Sequence, residues 1–465
     1  MATPSQQPAI VPAASQDRAD DEKTLRAERE YSEKKDLEAG RTRSLTDCGA
    51  DSIKPQQSSQ EVEFALEDDV PDGGLKAWTV VAGASLGTLA TFGFVNAWGV
   101  FQAYYEQTLL KDTSPSTIAW IGSIQYALVF VPGLVTGRLF DKGMFRVPLA
   151  VSSVFLVAAT FLVAQCKEYW QFLLCQGFAV GLGAGVIFGP LLGVVAHWFK
   201  RRKGLALGVV AVGSSLGGTL FPIAIRNLIQ EVGFQWTMRI VGFILLATLT
   251  FTNLTLSRRL PPRDASGPFI NLQAFRNPAY TFYCAAGFVT FLGLYTVLTY
   301  IDVSAAFVGL DPNFSFYLVS VANAGSIVGR LAGGILADKY GALNVMIPAT
   351  FIAGILTYVW PFVTNKGGYV AVGLIYGISS GVFVSMLAAP LVEMGETHDV
   401  GLRLGMFFTV LAFGALCGPP ISGAINEATD GFKAVGYYAG SAVLVSVVLL
   451  ILVRQLVLRR LWGKT

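Results

Sequence analysis

Asn323, Ser326 and Arg330 stand at i, i+3 and i+7, on one face of any helix that carries them. Arg330 is the member able to act on a ligand. A guanidinium keeps its proton at every accessible pH and offers five N–H donors in a fork that fits carboxylate or phosphate. It lies in an apolar stretch running from Gly325 to a polar turn at Asp338, Lys339 and Gly341. Inserting such a charge in a bilayer costs about 2.5–3.5 kcal/mol on insertion scales, so it is retained where it faces a wet cavity and meets an anion. A structural pairing with backbone carbonyls or an acid is the competing reading. Asn96, Gln102 and Gln125 are further polar positions in apolar segments, and Tyr295 is a candidate aromatic wall. For each polar residue, helix–helix hydrogen bonding is as open as solute contact.

Other chemistries find little support. There is no HExxH, no Ser/His or Asp pair at helical spacing in an apolar stretch, and no nucleotide loop. An enzyme or an ATP-driven pump is therefore not expected. His197 and His398 are too few and too distant for a metal site, and the five scattered cysteines read as packing residues, so no metal and no cofactor is expected. Asp302 and Glu393 stand near helix ends and read as interfacial acids that can titrate. Asn313-Phe-Ser315 is a glycosylation sequon, short and close to the membrane.

The elements that position these residues are apolar spans. The chain has 465 residues, 53% hydrophobic and 14% charged, against about 25% charged in soluble chains. Stretches of about 20 apolar residues, each able to cross about 30 Å of hydrocarbon, recur twelve times. They fall near 78–103, 116–138, 147–166, 170–197, 204–228, 236–256, 278–303, 314–337, 343–362, 368–392, 402–426 and 432–456. Basic residues cluster on alternate connections: Lys142 and Arg146, Lys200 to Lys203, Arg258, Arg259, Arg263 and Arg276, then Lys339, Arg403 and the C-terminal Arg459, Arg460 and Lys464. That asymmetry predicts a multi-pass membrane protein with both termini cytoplasmic. The plasma membrane is the expected location.

Residues 1–77 read as a disordered cytoplasmic tail, because 1–70 hold 16 of the 31 acidic residues without helical apolar spacing. No signal peptide is expected there. A six-helix bundle over 78–256, a cytoplasmic linker over 257–277, a second bundle over 278–456 and a cytoplasmic tail over 457–465 follow. The halves resemble each other. Gly137-Arg-Leu-Phe-Asp-Lys142 recurs as Gly334-Ile-Leu-Ala-Asp-Lys339, 197 residues later, and glycine ladders at 177, 181, 185, 189 and at 373, 377, 381 share nearly that offset. Such ladders let helix backbones approach closely. An acid at a helix end can cap the positive N-terminus of a neighbouring helix. Arg138, Asp141 and Lys142, and then Asp338 and Lys339, are the candidate cytoplasmic gate. The fold expected is all-α and polytopic, with twelve transmembrane helices in two six-helix pseudo-repeat bundles and a site between them at mid-depth.

The two Gly-x-Leu-x-Asp-Lys turns resemble the signature of the major facilitator superfamily, although Gly143 follows Lys142 without the usual intervening residue. Pro71-Asp-Gly-Gly-Leu-Lys-Ala-Trp78, Trp198-Phe-Lys-Arg-Arg-Lys-Gly-Leu-Ala-Leu-Gly208, Ala211-Val-Gly-Ser-Ser-Leu-Gly217 and Gly418-Pro-Pro-Ile-Ser-Gly423 are similar to its monocarboxylate porter branch in fungal form. That resemblance implies that Arg330 binds the solute carboxylate. It also places Ser326 where animal members carry a coupling aspartate, and Trp98 where they carry a lysine. Two charged coupling groups are thus missing, which argues for a larger, more apolar solute than lactate.

The expected function is secondary transport of a small organic anion or carboxylate-bearing metabolite by alternating access, with efflux of a fungal secondary metabolite as one form. Uptake of a monocarboxylate or vitamin-like nutrient and non-transporting solute sensing are the alternatives. The expected partners are that solute and the lipid bilayer, with protons an open coupling partner. No nucleic acid is expected, and the chain is expected to be monomeric.

Overall fold

The computed structural model describes residues 72–259, 272–394, 400–458 and 463. Most of the tail expected over 1–77, the middle of the linker and most of 457–465 lie outside the described residues. Eleven of the described helices are long and apolar enough to cross a membrane. One of them, Lys203–Thr255, has 53 residues, about 80 Å at 1.5 Å per residue, against about 30 Å of hydrocarbon. Gly233 breaks it at φ 78° and ψ 166°, a conformation that a Cβ would strain. The break turns one helix into two crossings and gives twelve spans.

In chain order these are α1 (Leu75–Leu109), α2 (Ser116–Asp141), α3 (Arg146–Val163), α4 (Tyr169–His197), α5 (203–232) and α6 (234–255). The second half comprises α7 (Pro278–Phe307), α8 (Pro312–Tyr340), α9 (Ala342–Phe362), α10 (Lys366–Glu393), α11 (Val400–Thr429) and α12 (Phe432–Leu458). Several run past their expected spans, because polar ends extend beyond the hydrocarbon; α1 reaches Leu109 rather than 103.

Local chemistry sets the boundaries. Asn277 and Asp311 cap α7 and α8 by accepting from Ala279 N and Phe314 N, each with proline as the first helical residue. Ser114 and Asn365 cap α2 and α10 in the same way. Gly341, at φ 98°, stops α8. Inside α1, a π-helical turn at Leu89–Gly93 precedes an interruption at Asn96–Ala97. Such widened turns often mark functional positions.

Both glycine ladders are packing surfaces. A Cβ at Gly181 would lie 2.9 Å from the Leu128 Cβ, bringing α4 onto α2. Gly381 meets the Ser326 carbonyl, and Gly325 of α8 meets the Leu374 carbonyl of α10. α8 is therefore set against α10 by small residues on the face adjoining its polar stripe. Within lipid, close van der Waals contact takes over the role of apolar burial.

Valine at Gly377, whose Cβ would overlap the Ala322 carbonyl, should destabilise the protein by about 2 kcal/mol or more. Alanine at Gly99, where nothing stands within 4 Å, should leave stability unchanged. Thermal unfolding of the solubilised protein tests both; equal Tm values would contradict the close α8–α10 contact.

Candidate solute cavity and its closures

α5 of the first half and α8 of the second cross along their whole length, tied turn by turn. Asp338 accepts from the backbone N–H groups of Gly204 and Leu205 at 2.6 and 2.9 Å. A Cβ at Gly208 would lie 2.5 Å from the Arg330 carbonyl, so the two backbones touch there. Ser215 donates to Ser326 at 3.1 Å, and Asn323 Nδ2 donates to the Gly218 carbonyl at 3.2 Å. At the far end Arg226 donates to Asn313 Oδ1 at 2.7 Å and lies over the Phe316 ring. Asn313, the candidate glycosylation position, is thus an exposed residue in the first turn of α8.

Arg330 sits in the middle of this seam, 6% exposed. Its Nε donates to Ser326 Oγ at 3.0 Å, and its Nη1 donates to Ser214 Oγ and the Ala211 carbonyl of α5. These partners are all neutral. Among the described residues no carboxylate neutralises Arg330, and it lines a cavity of about 360 Å3, mouth included.

Asn96, Tyr295, Asn323, Ser326 and Arg330 all line this cavity, joined by Ser380, Ala322 and the apolar Leu294, Leu298 and Val384. Trp98 and Gln125 are not among the lining residues. Trp98 donates to Gln102, which donates to Glu106, a ladder along α1, and its ring stands where a Gly122 side chain would be. Gln125 is 1% exposed and lies at the Gly181 crossing, inside the first half. The next residue, Tyr126, turns about 100° further round the helix. Its hydroxyl donates to Asn96 Oδ1, and its ring meets Tyr295 of the other half at 5.5 Å. Tyr126 is not legible as a site residue in the sequence, because an aromatic ring in an apolar span looks like core and only its neighbour Gln125 is overtly polar. Asp302 bonds only the adjacent Val303 N–H among the described residues.

At one end the halves are closed by two matching caps. Asp141, ending α2, accepts from Gly401 N at 3.1 Å and Leu402 N at 2.8 Å, the first turn of α11. Asp338, ending α8, does the same for α5. Each carboxylate thus meets the orphan N–H groups and positive dipole of a helix in the opposite half. Glycines allow the approach: Gly137 against Gly401, and Gly334 against Gly204. Arg138 is buried at the first closure, and Arg403 of α11 beside it. Lys203 and Glu393 add an ion pair at 3.5 Å, partly exposed, worth little by itself.

Two supports escaped sequence reading. Arg258 donates to the Phe140 and Asp141 carbonyls and lies over the Phe140 ring. Burial lowers its pKa below the ordinary value, and the Asp141 carboxylate opposes that shift. Asp72, before α1, accepts three successive backbone N–H groups from Lys200, Arg201 and Arg202 at 2.7, 2.7 and 3.3 Å. Lys76 lies over the Trp198 ring and Trp78 packs on Phe199. The segments 72–78 and 198–208 are therefore one clamp, which holds the start of α5 where Asp338 reaches it.

Twelve crossings, a polar chamber between two halves and reciprocal helix caps at one end define a multi-pass membrane transporter. The chain matches the Major Facilitator Superfamily over residues 87–391 and 301–461, and it belongs to that family. It is 36% identical to MFS-type transporter 1 of Ophiocordyceps sp. (strain BCC 1869), with 83% of this chain and 86% of that one covered. It is 35% identical to an aspyridones efflux protein of Emericella nidulans, covering 80% and 77%. The crystal structure of the human organic anion transporter MFSD10 shares its fold, with a TM-score of 0.65 at 14% identity over 81% of this chain and 100% of that one. The protein is a transporter and not an enzyme.

Alanine at Asp338 removes the acceptor for two helix-start N–H groups, worth about 1 kcal/mol, or about fivefold in an opening equilibrium. A cysteine at Ala337, where the residue is 6% exposed, should then react about fivefold faster with a maleimide, in a background lacking the native cysteines. Alanine at Asp72 should act in the same direction through the clamp. Unchanged rates in both would show that neither carboxylate holds this end closed.

Proposed function

We propose that this chain is a secondary active transporter that moves an organic anion, or a metabolite bearing a carboxylate, by alternating access. The observation that carries this reading is Arg330: a permanent charge at mid-membrane whose protein partners are neutral. Its field is left for a solute, and a carboxylate in the chamber supplies the missing countercharge. Asn96, Asn323 and Ser326 orient that solute, Tyr295 walls it, and Trp98 and Gln125 hold the surrounding helices.

The halves 78–256 and 278–456 rock about the chamber, with 257–277 as the connection. Asp141 and Asp338, with Arg138, Lys142 and Lys339, act as the cytoplasmic gate, and the basic end faces the cytoplasm, as the charge asymmetry requires. The tails 1–77 and 457–465 lie on that side. The clamp between 72–78 and 198–208 joins two of the four motifs on which assignment to the monocarboxylate porter-like branch rests. We place the protein in the plasma membrane as a monomer. The likeness to an aspyridones efflux protein supports outward transport of a secondary metabolite.

Flux of 2-naphthoate into liposomes holding the purified protein should fall about 10- to 100-fold in Arg330→Ala, from loss of a charge-assisted hydrogen bond worth roughly 1.5–3 kcal/mol. Lysine, which keeps the charge but not the fork, should retain part of it. Unchanged flux in both variants would discard the anion site. Direction follows from metabolites accumulated inside and outside cells with and without the chain; depletion of a solute from the medium would indicate uptake instead.

A further inference from the structure

The second crossing between the halves, α2 against α11 with α7 beside it, has a different chemistry. Beyond the Asp141 cap it is built of rings. Phe130 of α2 meets Phe291 of α7 at 5.5 Å and Phe408 of α11 at 5.8 Å. Phe188 of α4 meets Phe408 at 5.5 Å, and Tyr126 meets Tyr295 at 5.5 Å. Phe291 and Tyr295 touch at 5.3 Å. Phe130, Phe291 and Phe408 are each 1% exposed. These rings form one layer between the cavity and the capped end, since 126 to 130 on α2 and 295 to 291 on α7 both run toward that end. Tyr295 belongs to the layer and to the cavity wall alike.

The repeat makes the contrast pointed. At the 197-residue offset of the two caps, Tyr126 corresponds to Asn323, Gly133 to Arg330 and Phe408 to Ala211. Where the α5–α8 seam carries an amide, a guanidinium and a bonded carbonyl, the α2–α11 seam carries a ring, a glycine and a ring. A fixed hydrogen bond needs its own partner back. A ring face accepts any other flat face. When the halves part at this end, the rings of opposite halves lose one another and would face water unless a solute covers them.

We propose that this aromatic layer is the seat of the solute's body: it parts to stack a planar aromatic or conjugated ring system, while Arg330 holds the acidic group of the same molecule. The substrate class is an amphipathic acid with a flat apolar body, not a short aliphatic monocarboxylate. This rests on the anion site at Arg330 and deepens it. The resting cavity, about 360 Å3 with its mouth, gains its additional room by displacement of Phe130 and Phe408 from each other.

The test is competition and ligand-induced Tm shift on the full chain in liposomes and detergent, with 2-naphthoate, propionate and the uncharged 2-naphthalenemethanol. In the unaltered protein 2-naphthoate should bind at least tenfold more tightly than propionate. Phe130→Leu and Phe408→Leu should each weaken 2-naphthoate by about 2- to 12-fold and leave propionate within twofold, while Phe130→Trp should retain ring binding. Equal affinity for both acids in the unaltered protein overturns the proposal. So does an equal loss for both acids in the leucine variants, which marks a structural role. The unaltered protein decides the first point even where a leucine variant does not fold. Arg330→Ala separates the two ideas: it should abolish the preference for 2-naphthoate over 2-naphthalenemethanol and leave sensitivity to Phe130→Leu. If the acid loses nothing there while ring dependence persists, the anion site fails and the ring seat stands.

Discussion

A positive charge that cannot be discharged, held inside the eighth span by neutral oxygens, is the constraint that the rest of this structure accommodates. Arg330 reaches across from α8 to Ser214 and the Ala211 carbonyl of α5. Hydroxyl and carbonyl dipoles lower the desolvation penalty without cancelling the charge. Such an arrangement needs backbones at glycine distance, which Gly208 provides at the crossing itself and Gly329 provides behind it against Ile378 of α10. The polar stripe, the small-residue face beside it and the cavity are consequences of placing one guanidinium there.

The seam around Arg330 is hydrogen-bonded from Asp338 at one end to Arg226 at the other, whereas its repeat-related partner is capped at one end and ring-packed beyond. A hydrogen-bonded seam in low dielectric resists sliding, because each broken bond leaves a buried donor. A ring-packed seam has no such penalty and can repack. The duplicated scaffold therefore supplies a stiff side and a compliant side, and the reciprocal caps of Asp141 and Asp338 are the feature both keep. The clamp of Asp72 on the Lys200–Arg202 backbone and the Arg258 contacts at the end of α2 fix the first half's partner in each cap.

The sequence by itself determined the membrane class, the twelve crossings, the duplication and the capping role of the two aspartates. These depend on hydrocarbon thickness, charge asymmetry and residue spacing along one helix, and all three are written along the chain. The face shared by Asn323, Ser326 and Arg330 was legible for the same reason, since helical periodicity fixes it locally. Only the tertiary structure decided what that face meets. Helix rotation put Tyr126 rather than Gln125 against the lining residues Asn96 and Tyr295, kept Trp98 within the first half, and joined Asp72 to a loop 128 residues away in the chain. Rings from four helices became one layer because packing across the halves is a long-range property. A phenylalanine in an apolar span looks alike in sequence whether it faces lipid, its own bundle or the other half.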